Sequence, residues 1–320
     1  STVGIPGAAA NVLTVGNTKP YEMVQGDNTL GEIALTSSQG PTADGRLKPE
    51  ITAPGGGDPG DAGSGCLTTS ANDPATYETA PGGTSMSTPQ VTALAASLID
   101  RYPYFSFNPP ALRAALMATA MHPEAGAQND DYGFGMMDAY RAHHDSLSWQ
   151  GAHIPLISVK QGAGGNMATT DIDIPVGTVR LTIAMAWHEP ALSTVGGATP
   201  VTGHIDLGVD YGIDGWTDAS ATGNANYQYL VLENPTPGPA RLIFFPRDTD
   251  LNDNGTPSTL VAGAAYLFES ELNPTIAATT SLSHEALKKE EWASITTVLS
   301  TDMGLASLTI ANLMDWSADL

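Results

Sequence analysis

The chain has 320 residues, 41% of them hydrophobic, which is enough apolar material for the cores of two domains. Twelve Lys and Arg stand against 34 Asp and Glu, a formal net charge of −22, and that excess of negative charge excludes nucleic acid and anionic membrane surfaces as partners. One cysteine, Cys66, excludes an internal disulfide framework and reads as a buried or half-buried thiol, no apolar run is long enough to span a bilayer, and no signal-peptide pattern opens the chain.

In chain order, Val12 to Val15 and Ile33 to Thr36 are short β-branched or apolar runs bounded by glycine and polar residues, the pattern of buried strands. Residues Gly55 to Asp73 are rich in Gly, Asp, Ser and Thr and predict a long surface loop. Apolar positions Val91, Leu94, Ala95 and Leu98 follow helical spacing from Ser85 onward, and Asp100-Arg101-Tyr102-Pro103 ends that helix. Asn108-Pro109-Pro110 starts a second helix with an apolar face through Leu112, Ala115 and Leu116. Beyond His144 the period changes from helical to alternating. Val179 to Trp187, Tyr229 to Leu232, Arg241 to Phe245 and Ala265 to Phe268 read as strands of a sandwich or jelly roll. Ser283 to Trp292 predicts a short helix in a C-terminal extension, 276–320.

The densest chemical signal is Gly82-Gly83-Thr84-Ser85-Met86-Ser87-Thr88-Pro89. Two glycines permit a tight turn and close approach of a substrate chain, and Ser85 stands where the turn becomes a helix, with proline expected in the first helical turn. A hydroxyl there sees unpaired backbone N–H groups and the positive end of the helix dipole, both of which favour developing negative charge. The segment resembles the nucleophile segment of the subtilisin-like serine proteases, Gly-Thr-Ser-Met-Ala/Ser-Thr/Ser-Pro, which carries the nucleophile onto Ser85 and puts Gly83 and Thr84 beside the substrate. Upstream, Ser37 to Gly55, which contains Gly40-Pro41-Thr42-Ala43-Asp44-Gly45-Arg46-Leu47-Lys48-Pro49-Glu50, is similar to a second family segment, with Gln39 and Glu50 as the main departures. Ser1 to Gly16 resembles the strand-loop-strand that walls the family's pocket for the residue before the scissile bond, and that implies Gly4 at the wall. Asp131 to Tyr140 resembles the family's closing motif, and the order of Trp187, His204 to Leu207 and Leu232 to Pro235 is similar to the C-terminal β-barrel of some alkaline subtilases.

The resemblance therefore implies an α/β fold, the later half of a subtilisin-like parallel-sheet domain over 1–146, followed by an all-β sandwich or jelly-roll domain over 147–275. The family's triad runs Asp, His, Ser along the chain. Here the first histidine is His122, after Ser85, and the family's Asp, His and oxyanion Asn motifs do not occur. A serine without a base is a weak nucleophile, so the expected partner is an N-terminal segment of the same protease domain that carries Asp, His and the oxyanion Asn. The expected substrate is a protein or peptide, and the family implies secretion. The alternative is a non-catalytic processed subunit whose sandwich binds a partner, cell surface or polysaccharide.

Asp248, Asp250, Asn252 and Asp253, in an acidic loop ending at Gly255, offer oxygen ligands suited to structural calcium, and a solvated turn between strands explains the same residues. His188 and the pair His143-His144 have carboxylate neighbours in Glu189 and Asp145 that are adjacent rather than at ligand spacing, so they read as surface histidines. Asp206, Asp210 and Asp214 read as turn and strand-edge residues.

Overall fold

A computed structural model describes residues 2–19, 31–57, 65–70, 72–73, 75–79, 82–121, 129–143, 159–160, 167–189, 204–212, 218–220, 225–246, 259–260, 262–270, 277–282, 295–301 and 304–310. In chain order these carry strands β1 (Val15–Thr18), β2 (Ile51–Pro54), β3 (Leu67–Thr69) and β4 (Tyr77–Thr79), then helices α1 (Thr84–Arg101), α2 (Tyr104–Phe107), α3 (Pro109–Ala118) and α4 (Ala139–His143). Nine strands come next: β5 (Val159–Lys160), β6 (Ala168–Ile174), β7 (Thr178–Trp187), β8 (Ile205–Asp210), β9 (Asp218–Ser220), β10 (Tyr227–Glu233), β11 (Gly238–Pro246), β12 (Thr259–Leu260) and β13 (Ala262–Ser270). The last three are β14 (Ala277–Leu282), β15 (Ile295–Thr301) and β16 (Gly304–Ile310). Contacts divide the chain into two compact units, Ser1–Glu269 and Ser270–Leu320.

The first unit mixes helices and sheets. β1 and β2 are parallel, with Val15 opposite Ile51, and α1 lies against both. Helix α1 forms because Ser87, Val91, Leu94 and Leu98 recur at helical spacing and are all buried. Asn108 starts α3 as expected: its side chain accepts from Ala111 N–H and prolines fill the first two helical positions, where no N–H is needed. The strand expected over Val12 to Val15 sits three residues later, and Val12 is 36% exposed. Ile33 to Thr36 is not a strand. Only Ile33 forms a bridge, to Thr18, before the chain turns and leaves Leu35 79% exposed. The expected loop contains β3, which pairs with β4 beyond Asp73 as an antiparallel hairpin.

The later part of this unit is antiparallel. One sheet has the order β10-β7-β13 and a second β6-β11-β8-β9, and β12 pairs with β5. The alternation of β7 decides which core each side chain joins. Leu181, Ile183, Met185 and Trp187 enter one core with Ile172, Leu207, Leu242 and Phe244 of the second sheet. Ala184 and Ala186, one residue out of phase, enter another core with Val91, Leu98, Ala111, Ala115 and Leu116 of the helices. The three-stranded sheet is thus buried on both faces, with α3 packed on β7. Small residues allow that approach: a Cβ at Gly263 would overlap the Ala111 backbone.

Polar groups cross the same boundary. Arg113 on α3 donates through Nη1 to Asn226 Oδ1 (3.0 Å) and Ala10 O (3.1 Å), and through Nη2 to Glu50 Oε1 (2.6 Å). Glu50, fully buried, also accepts from Lys48 Nζ (2.5 Å) and Thr14 N–H (2.8 Å). Asn226 in turn donates to Trp187 O and Asn11 Oδ1. Burial, together with the nearby Arg113 charge and against the pull of Glu50, drives the Lys48 ammonium down to about 8.

The second unit contains one antiparallel sheet in the order β14-β15-β16, with Leu282 opposite Ile295 and Thr301 opposite Gly304. The helix expected over Ser283 to Trp292 lies outside the described residues. Among the described residues no helix is long and apolar enough to cross a membrane.

Candidate active site

Ser85 is the second residue of α1 and is exposed, and among the described residues its Oγ has no hydrogen-bond partner. Its position at the mouth of the helix results from the two glycines before it. Gly83 caps the helix at φ 121°, a backbone region that disfavours side chains, and its N–H donates to Gly55 O at 3.1 Å. At Gly82 a Cβ would overlap the backbone of Gly56 and Gly57, so the two loops pass backbone against backbone. The second N–H of a helix has no partner within it, which leaves the Ser85 N–H at a positive helix end. An anion forming at a carbonyl attacked by Ser85 Oγ would meet that donor.

The proline differs from the sequence expectation. Because α1 begins at Thr84, Pro89 is its sixth residue and lies inside the helix rather than in its first turn. Proline has no N–H to offer the carbonyl four residues earlier, and here that carbonyl belongs to Ser85.

Beneath Ser85 the first turn of α1 rests on polar groups. Ser87, fully buried, donates from Oγ to Asn17 Oδ1 at 3.0 Å, and Asn17 Nδ2 donates to Gly56 O and to Thr36 Oγ1, each at 2.7 Å. The Asn17 backbone is held as well, N–H to Ser37 Oγ (3.0 Å) and carbonyl to Ala34 N–H (3.0 Å). Composition and spacing do not signal this cluster, since Asn17 and Ser87 are 70 positions apart. Met86 is half-buried, and its carbonyl accepts from Gln90 Nε2. Cys66 is half-buried near the end of β2, its Sγ 3.7 Å from Pro54 O, and burial pushes its thiol up.

The expected site residues are not all brought together. Gly83 and Thr84 adjoin Ser85 in the turn and helix start, whereas Gly4 lies in an exposed segment where its carbonyl accepts from Ala8 N–H (3.0 Å). Residues 5–11 form turns, so the opening of the chain is not a strand-loop-strand. The described histidines are engaged elsewhere or stand apart. His143 pairs with Ser97 Oγ (2.7 Å) toward the other end of α1, and His188 lies 3.4 Å from Asn11 Nδ2. Asp248, Asp250, Asn252 and Asp253 lie outside the described residues, and among the described residues no group of three His, Cys, Asp or Glu could hold a metal ion.

Comparison with solved structures finds fervidolysin from Fervidobacterium pennivorans, a keratinolytic enzyme related to subtilisin, at 14% identity and a TM-score of 0.33, over 84% of this chain and 51% of that one. Lipase BlEst2 of Bacillus licheniformis in its propeptide form matches at 11% identity and a TM-score of 0.23, over 52% of this chain and 41% of the lipase. The chain thus spans about half or less of each, and similarity this loose carries no argument about fold or site. The family comparison is specific: the model of the subtilase family matches residues 1–135, the stretch that contains the Ser85 turn, β1, β2 and α1. Over those residues the chain is similar to the subtilase family.

Proposed function

We propose that the chain supplies the nucleophile half of a secreted serine endopeptidase. Ser85 Oγ attacks the scissile peptide carbonyl, its proton passes to a histidine base, and the amine leaves with a proton from that base, which leaves an acyl-enzyme for water to cleave. The Ser85 N–H stabilises the oxyanion, and the Gly83–Thr84 backbone lines the bound peptide. The observation that carries this reading is the exposed, unpartnered Ser85 Oγ at the open end of α1, within a stretch of subtilase-family sequence.

The base, its Asp and the second oxyanion donor, an Asn, come in this proposal from a further segment of the protease domain, and the edge of β1 supports strand addition. Asn17 and Val15 both turn their backbone groups away from β2, and Ser37 and Ala34 satisfy Asn17. Val15 has no such partner among the described residues, so a strand can add there. A cleft of about 240 Å³, lined by Leu13, Leu112, Leu116 and Trp187 together with Asn11, Arg113 and His188, suits side chains of that segment. The antiparallel sheets, a sandwich in this reading, act as a buttress: the burial of β7 on both faces supports a structural role over a binding one. Asp248, Asp250, Asn252 and Asp253 form the proposed structural calcium site.

The test is labelling with a fluorophosphonate, with and without a co-expressed segment that carries the Asp, His and Asn motifs. Labelling at Ser85 that requires the segment, with peptide hydrolysis abolished by Ser85→Ala, is the expected result. Hydrolysis that survives Ser85→Ala refutes the assignment.

A further inference from the structure

The geometry points to Asn17 as a positioning residue for Ser85, acting through Ser87; this rests on Ser85 being the nucleophile. Every polar group of Asn17 is used. Oδ1 accepts from Ser87 Oγ on the first turn of α1, Nδ2 holds Gly56 O, and the backbone is tied to Ser37 and Ala34. Gly55 and Gly56 N–H both donate to Thr18 O (2.9 and 3.1 Å), so the turn that clamps Gly83 is anchored to the same strand end. Two supports therefore meet at Asn17. One is the helix turn that presents Ser85, the other the glycine turn that leads into it.

Asn17 and Ser87 are both fully buried, whereas Ser85 points to solvent from the same turn, so neither can touch a substrate at Ser85. Their effect is to fix the height of the helix mouth over the end of β1. Loss of the Ser87–Asn17 bond frees that first turn to shift, and a nucleophile displaced by a fraction of an ångström from its attack line loses rate while the peptide binds as before.

The experiment measures kcat and KM for peptide hydrolysis, and the rate of fluorophosphonate labelling, in the assembled protease. Asn17→Ala and Ser87→Ala are compared with Thr92→Ala, which removes an exposed side-chain bond to Thr88 O on the same helix without touching the cluster. Asn17→Ala and Ser87→Ala are expected to lower kcat and labelling about 10- to 100-fold with KM within about twofold, and Thr92→Ala to change neither. Absence of Ser85 labelling in the unmodified assembly would overturn the nucleophile reading itself. If the unmodified assembly labels, wild-type kcat in folded Ser87→Ala overturns the positioning role. Failure of Ser87→Ala to fold overturns it as well, since the bond would then serve the fold rather than the height of Ser85.

Discussion

Replacing Glu50 by Gln tests whether the buried ionic cluster holds the chain together. Glu50 is 0% exposed in its side chain, and its two cationic partners, Lys48 at 2.5 Å and Arg113 at 2.6 Å, are 2% and 8% exposed. Glutamine keeps the shape and one acceptor oxygen, but its NH2 group faces donors and the two cations lose their counter-charge. Breaking a buried pair in this way costs about 3–5 kcal/mol, against a total stability of about 5–15 kcal/mol for a typical domain. Urea unfolding followed by tryptophan fluorescence at pH 7 reads the difference, and a loss below about 1 kcal/mol would refute the reasoning. The pH dependence is a second arm. The Lys48 ammonium is held at about 8 in the folded protein against an ordinary 10.5, so between those values the unfolded chain binds more protons and stability rises with pH. Tyr227 and Tyr229, both raised by burial, act in the opposite sense above about pH 10, where the unfolded tyrosines ionise first. The rise attributable to Lys48 is therefore read from about pH 8 to pH 10, and Lys48→Met should flatten it.

Peroxide treatment of the assembled protease should lower turnover, because a sulfoxide at Met86 adds a polar oxygen next to Ser85, and Met86→Ala should resist; equal sensitivity would exclude that site. Calcium should raise the unfolding temperature and Asp250→Ala should abolish the response, whereas a response that persists in the mutant points to another site or a plain turn. Gly263→Ala forces a methyl into the Ala111 backbone and should cost about 1–3 kcal/mol in urea unfolding, and an unchanged midpoint would mean that α3 does not lie tightly on β13.

Helix α1 is legible in the sequence because it buries one face at helical spacing, α3 because Asn108-Pro109-Pro110 marks its start, and strands β7, β10, β11 and β13 because each contains an apolar run long enough to read as a strand. Ile33 to Thr36 misleads because a short β-branched run does not encode whether the chain beyond it pairs or turns, and here a turn leaves only one bridge. β2 escapes notice as a strand: Ile-Thr-Ala-Pro shows no alternation, since it is buried along most of its length between β1 and residues 134–137. At the site, the glycine turn and the helix start that carries Ser85 are legible from their local segment. The Asn17–Ser87 bond is not, because it joins residues 70 positions apart whose types are ordinary in turns.

The burial of β7 also bears on what the antiparallel sheets contribute. A sheet that served as an independent binding module would leave one face to solvent, with alternating polar residues on it. Here that face carries Ala184, Ala186 and Ala265, with Tyr227 stacked edge-on against Phe134 at 5.1 Å, all in the core that α1 and α3 complete. The polar links run the same way, since Asn226 beside β10 joins Arg113 of α3, and Asn11 joins the backbone of Glu189 beyond the end of β7. Helix α3 is therefore buried between β7 and helices α1 and α2, and α1, which presents Ser85, packs on α3. Removing the sheets would strip α3 of the partner for its small-residue face and leave the Arg113 guanidinium without Asn226. The placement of α1, and with it of Ser85, thus depends on strands outside the stretch that matches the subtilase family.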